Sequence, residues 1–426
     1  MRARGAGATH ARPREPRTVT RSRSGEPGAG GSRTTAPAAD SQGATDWRLF
    51  AMSWLALPLA LLAALLVGAV MMWAFGADPV AGYRALLQGA FGSSYALGST
   101  AVKAAPLLLV AVGICIAFRA NMFNIGGEGQ IAMGGLASAA VALAVPGLPS
   151  VVLIPLVLLA GAVGGGIWGA IPGAFKAYFN VNEILSTIML NLVAVQLMNY
   201  LLAGPMVDQS AFSTGGLIPE TRLLSPNSWL PILVPGTQLH LGVAIAVLVA
   251  AGAYVLLWRT TFGFRIRAVG LSEAAASYAG MPVKRTMTLA MTLSGAMCGL
   301  AGALLVFGSL SHRLVTDGSL TGFTGSAGFN GIVVALFGGL NPIWAIVSAF
   351  LFGGLVVGGS SLQVATGVPS DLVTTLIGLA VVFIVSLEYM RRRARSRARA
   401  LSRPVEPPAP ATGGASPAAL PEGGGG

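Results

Sequence analysis

The stretch from Arg119 to Gly135, RANMFNIGGEGQIAMGG, sets Asn121, Asn124, Glu128 and Gln130 inside otherwise apolar sequence of membrane length. Such groups are costly in hydrocarbon. An ionisable side chain near a bilayer centre costs roughly 2.5–3.5 kcal/mol, so Glu128 is expected to face protein, water or headgroups. Glycines at 126, 127, 129, 134 and 135 weaken a continuous helix, and broken helices at membrane depth survive only where they line a cavity or are buried in protein. With Asn191 and Asn330 these side chains could hydrogen-bond a neutral, hydroxylated solute along a translocation path. The alternative is structural: a buried Asn or Glu ties a broken helix to nearby backbone. Phe329 reads as packing or a gate rather than a platform for a base. Nothing points to catalysis, because His10, His240 and His312 form no pair with a carboxylate at metal-ligand or triad spacing.

The elements that must position these residues are apolar spans. Residues 49–75 form the first, with Trp47, Trp54 and Trp73 as interfacial anchors. A short outer segment with Asp78 and Arg84 leads to a second span over 95–118, which contains Lys103 and Pro106; Arg119 ends it and the opening stretch begins the third. The fourth, 151–175, carries glycines 161, 164, 165, 166 and 169, a face suited to close helix approach. Asn182 and Glu183 cap and open the fifth, NEILSTIMLNLVAVQLMNYLL, which holds Asn191 and Gln196. An external loop over 204–240 follows, then a sixth span at 241–258, a basic loop over 259–286, and a seventh span at 287–307. GFNGIVVALFGG is a short eighth segment, and spans nine and ten fall at 343–358 and 372–389. The fold class is therefore an all-α polytopic membrane protein with about ten transmembrane segments, or eight if the two short ones are re-entrant. Phe123-Asn124 and Phe329-Asn330 both open glycine-broken segments five spans apart, which raises a 5+5 inverted repeat; coincidence is the competing reading.

Composition agrees. Of 426 residues 54% are hydrophobic and 10% charged, and the mean hydropathy is +0.71, which no water-soluble globule could solvate. The net charge of +12 does not call for nucleic acid, because of 27 Lys and Arg nine precede Leu49 and seven follow Met390. Terminal basic blocks fit a topology with both termini cytoplasmic. The domains read as a disordered basic tail over 1–48, a transmembrane domain over 49–390 and a second disordered basic tail over 391–426. Cys115 and Cys298 fall in spans, so neither a disulfide nor a metal site follows.

Transport needs energy, and no GxxxxGK[ST] loop is present, so this chain binds no ATP through such a loop. The basic loop offers a route to an external motor. Ser272 is placed as N-cap, Glu273 in the first turn, alanines follow, and Gly280 with Pro282 stops the run, which spells a two-turn helix. Such a helix could insert in another subunit's groove and move as a rigid body, or simply link spans six and seven.

The motifs NxFNxGxEGQ at Asn121 to Gln130, NEILSTIMLN at Asn182 to Asn191, the loop at Glu273 to Gly280 and GFNGIVVALFGGLNP at Gly328 to Pro342 support a resemblance. Over residues 49–389 the chain resembles the membrane permeases of bacterial ABC importers for branched-chain amino acids, ribose, simple sugars and nucleosides, most of all the nucleoside-uptake permeases. The resemblance implies a multi-pass protein of the bacterial cytoplasmic (inner) membrane. Its implied partners are a cytoplasmic ABC ATPase that binds the ATP, a second permease subunit of a different chain and an extracellular substrate-binding lipoprotein. It also implies that Glu273, Ala274, Ala275 and Gly280 sit on the element that docks the ATPase. The alternatives are a simple-sugar permease of ribose type and, in another class, an ion-coupled secondary transporter using Glu128.

Overall fold

The computed structural model describes residues 62–63, 65–209, 218–309, 311–319, 321–369, 375 and 378–379, all within one compact unit, residues 53–426. The two tails and the span expected at 372–389 lie, wholly or nearly so, outside the described residues. What is described is helical, with two isolated antiparallel bridges and no longer strand. In chain order the helices are α1 (Leu65–Ala74), α2 (Pro79–Phe91), α3 (Ser94–Arg119), α4 (Gly127–Ala144), α5 (Ser150–Phe179), α6 (Glu183–Ala203), α7 (Leu241–Arg259), α8 (Thr261–Leu271), α9 (Glu273–Tyr278), α10 (Val283–Phe307), α11 (Ala327–Phe337) and α12 (Pro342–Thr366).

Six of these are long and apolar enough to cross a membrane: α3, α5, α6, α7, α10 and α12. The expected ten spans are therefore not reached among the described residues, of which the span expected at 372–389 is almost wholly no part. The first span is described only from residue 62, and α1 bends by 120° into α2. The segment around Asp78 and Arg84, expected to be a plain outer link, is the helix α2, started by Asp78, whose carboxylate accepts the Val80 N–H, and by Pro79 in its first turn. The third segment becomes helical only at Gly127, and Glu128 and Gln130 make its opening turn polar. The eighth, α11, has 11 residues, about 16 Å of helix, and cannot span a hydrocarbon core of about 30 Å.

The centre is a seam of bare backbone. Glycines 161, 165 and 169 of α5 face glycines 295 and 299 of α10; a Cβ on Gly299 would strike the Gly161 carbonyl, and one on Gly165 the Gly295 carbonyl. Gly134 of α4 closes on Gly299 in the same way. Small residues thus let three helices approach without intervening side chains, the source of packing energy where water supplies none. The central helix α3 lies beside this seam, with residues 104–117 buried throughout.

Candidate functional site

Helix α3 ends at Arg119, whose guanidinium donates to the Leu340 carbonyl at 3.1 Å and lies 5.2 Å over the Trp258 ring. Asn121 turns the chain in the left-handed region, φ 56°, and residues 121–126 climb without regular helix to Gly127. There α4 begins with no side chain capping it from Gly126, and α11 likewise begins uncapped after Ser326, φ 62°. The two N-termini meet: a Cβ on Gly127 would lie 3.1 Å from the Gly328 Cα. Each brings unpaired N–H groups and the positive end of a helix dipole, so the contact needs a shared acceptor. Glu128 supplies it. Fully buried in the first turn of α4, its Oε1 accepts the Phe329 N–H in the first turn of α11 at 2.9 Å.

Around this junction the amides close a network. Asn124 Oδ1 accepts the Gly126 N–H at 2.9 Å, and the Asn124 and Gln130 amides exchange two bonds at 2.9 and 3.1 Å. Asn124 also donates to Ser294 Oγ on α10 at 2.8 Å. From α6, Asn191 accepts the Gly129 N–H at 2.8 Å and donates to the Ile125 carbonyl at 3.0 Å. Asn124, Gln130, Asn191 and Ser294 are all buried. Four expected residues, Asn124, Glu128, Gln130 and Asn191, are thus one cluster that satisfies the backbone of a broken helix.

The other three lie at its rim. Asn121 is exposed at the turn, Phe329 is 37% exposed, and half-buried Asn330 makes no side-chain hydrogen bond among the described residues. The two Phe-Asn pairs occupy different positions: Phe123-Asn124 precedes its helix, whereas Phe329-Asn330 lies inside the first turn of α11. Sequence reading missed Ser294, which lies 170 residues from Asn124 and has no local signature.

On the basic face, α9 forms from Glu273 to Tyr278, with Ser272 Oγ accepting the Ala275 N–H at 3.2 Å and Gly280 at φ 75°. Glu273, Ala274, Ala275 and Gly280 are exposed, and only Ala276 of this helix is buried. Helix α8 anchors it, because Gly270 rests against the Arg119 carbonyl. Opposite, residues 218–240 are ordered against 312–316. Arg313 reaches Asp208 at 3.3 Å and Glu220 at 2.6 Å, the Leu224 N–H donates to the His312 carbonyl, and the Trp229 and His312 rings stack at 3.9 Å. His240 caps α7 by accepting the Gly242 N–H on Nδ1, and burial, helped by nearby His312, pulls its pKa down to about 4. The Ser319 N–H and hydroxyl hold exposed Asp317 below the usual carboxylate range.

The chain is 37% identical over 341 residues to a guanosine ABC transporter permease protein of Bacillus subtilis, covering 80% of this chain and 95% of that one. It is 32% identical to a nucleoside ABC transporter permease protein of Lactococcus lactis subsp. cremoris, over 80% of this chain and 93% of the relative. A glucose ABC transporter permease protein of Haloferax volcanii is 35% identical, over 82% and 92%. Residues 96–385 match the family described as branched-chain amino acid transport system / permease component, to which this chain belongs.

Proposed function

We propose that this permease forms the membrane path of an ATP-driven importer for nucleosides. The single observation that carries the solute class is its identity, over four-fifths of its length, with two permeases named for guanosine and for nucleosides. In this reading a separate cytoplasmic ATPase supplies the energy through exposed α9, a second permease chain completes the path, and an extracellular substrate-binding lipoprotein delivers the solute. The concentration of Arg119, Lys176, Arg259, Arg265, Arg267, Lys284 and Arg285 at helix ends and in the 259–286 loop supports a cytoplasmic basic face with both termini on that side of a bacterial inner membrane. Asn121, Phe329 and Asn330, at the rim of the junction, are the residues we assign to the solute, while the buried cluster holds the path's shape. In this reading the inverted repeat pairs the starts of α4 and α11 and not the two Phe-Asn dipeptides.

A simple-sugar substrate is the second reading, favoured by the relative named for glucose. Uptake of labelled purine nucleosides and of labelled ribose or glucose, into cells with and without the gene, separates the two. Loss of nucleoside uptake alone supports the proposal; loss of sugar uptake alone replaces the solute and keeps the permease. Uptake that survives removal of every ATPase partner would instead favour an ion-coupled carrier.

A further inference from the structure

A cavity of about 820 Å³ opens on the basic face beneath α9. Its walls include Lys176 and Tyr178 of α5, Glu273 and Ser277 of α9, and Lys284 and Arg285 in the first turn of α10. Lys176 is neutralised by Glu183 at 3.0 Å. Lys284 instead lies 5.6 Å over the Tyr178 ring, and neither it nor Arg285 has a carboxylate partner among the described residues. The N-terminus of α10 adds positive potential, since Pro282 leaves that helix without a side-chain cap. Glu273 is the one acid on the walls. The pocket is therefore built to accept negative charge.

Its position gives that charge mechanical leverage. The pocket lies at the end of the α5–α10 pair, whose glycine seam leaves no slack for sliding. Along α10, Ser294 lies ten residues above Lys284, about 15 Å, and holds Asn124 of the broken segment. Along α6, Asn191 lies eight residues above Glu183, about 12 Å, and holds Gly129 and Ile125. Helix α10 thus starts at this pocket, and α6 starts beside it, where Glu183 pairs with Lys176 on the wall.

We propose that the pocket seats an acidic element of the ATPase subunit, so that the motor grips the α5–α10 pair as well as α9. This rests on the ABC reading above. The test uses the complete transporter in nanodiscs and two variants with one added, exposed thiol each, feasible because Cys115 and Cys298 are buried: Ala274→Cys on α9 and Tyr178→Cys on the far wall of the pocket. Assembly with the ATPase is expected to abolish maleimide labelling of both thiols. Adding Lys284→Glu with Arg285→Glu should restore labelling at position 178 even where the ATPase remains bound. Protection at 274 with free labelling at 178 in the complex would overturn the pocket's role and leave the ABC reading standing. Free labelling at both, with no ATPase co-purifying with the parent protein, would bring down the ABC reading itself. The thiol variants carry the test alone should the charge reversal fail to fold.

Discussion

The junction of α4 with α11 and the ordered layer around Arg313 both join distant segments, and they do it by opposite means. At the junction, one carboxylate and two amides, Glu128, Asn124 and Asn191, satisfy backbone groups in a buried setting. At the layer, Arg313 joins buried Asp208 to Glu220, and the Arg313–Glu220 pair is part-exposed on both sides, at 28% and 27%. Losing a partner at the first site strands buried polar atoms, which costs far more than losing a screened ion pair. The difference teaches where the permease is stiff by necessity and where it can exchange partners with a docking protein.

The comparison is broken most severely at Glu128. Glu128→Ala leaves two uncapped N-termini in contact and should cost on the order of 3 kcal/mol, seen as a large drop in thermal stability in detergent. Glu128→Gln, which keeps an acceptor oxygen for the Phe329 N–H, should recover most of that loss. Asn191→Ala should cost about 2 kcal/mol by stranding the Gly129 N–H and the Ile125 carbonyl, in the same assay.

Acid probes the layer. His240 is neutral in the folded protein down to about pH 4, whereas an unfolded histidine takes up its proton near 6.5. The unfolded state therefore binds more protons in that window, and stability should fall as pH drops from 6.5 towards 4. His240→Asn, which can still accept the Gly242 N–H, should flatten that part of the pH profile. The smallest effect is expected for Glu220→Gln, which weakens only the part-exposed pair with Arg313: under about 1 kcal/mol and weaker still in high salt. A Glu220→Gln loss as large as that of Glu128→Ala would erase the contrast.

Much of the junction was legible in sequence because its elements violate local expectations: an acid and three amides amid glycines cannot sit in lipid unpaired. Their need for partners could be read, and so could the cap at Ser272 and the stop at Gly280, which are local rules. The partners could not. Ser294 and the Phe329 N–H lie 170 and 201 residues from the side chains they meet, and only helix packing brings them together. The Phe-Asn dipeptides fall on different sides of a helix start, so their identical letters do not mark equivalent positions. Helix α2 was overlooked although Asp78-Pro79 is a start signal, because polar Arg84 and Gln88 broke its apolar run.

The claim at the centre is that Glu128 caps α11 from α4. Amide hydrogen exchange at Phe329, in nanodiscs, tests it most directly. Protection at that amide should be lost in Glu128→Ala and kept in Glu128→Gln. Unchanged protection in Glu128→Ala would contradict the shared cap and return Glu128 to the candidates for solute contact.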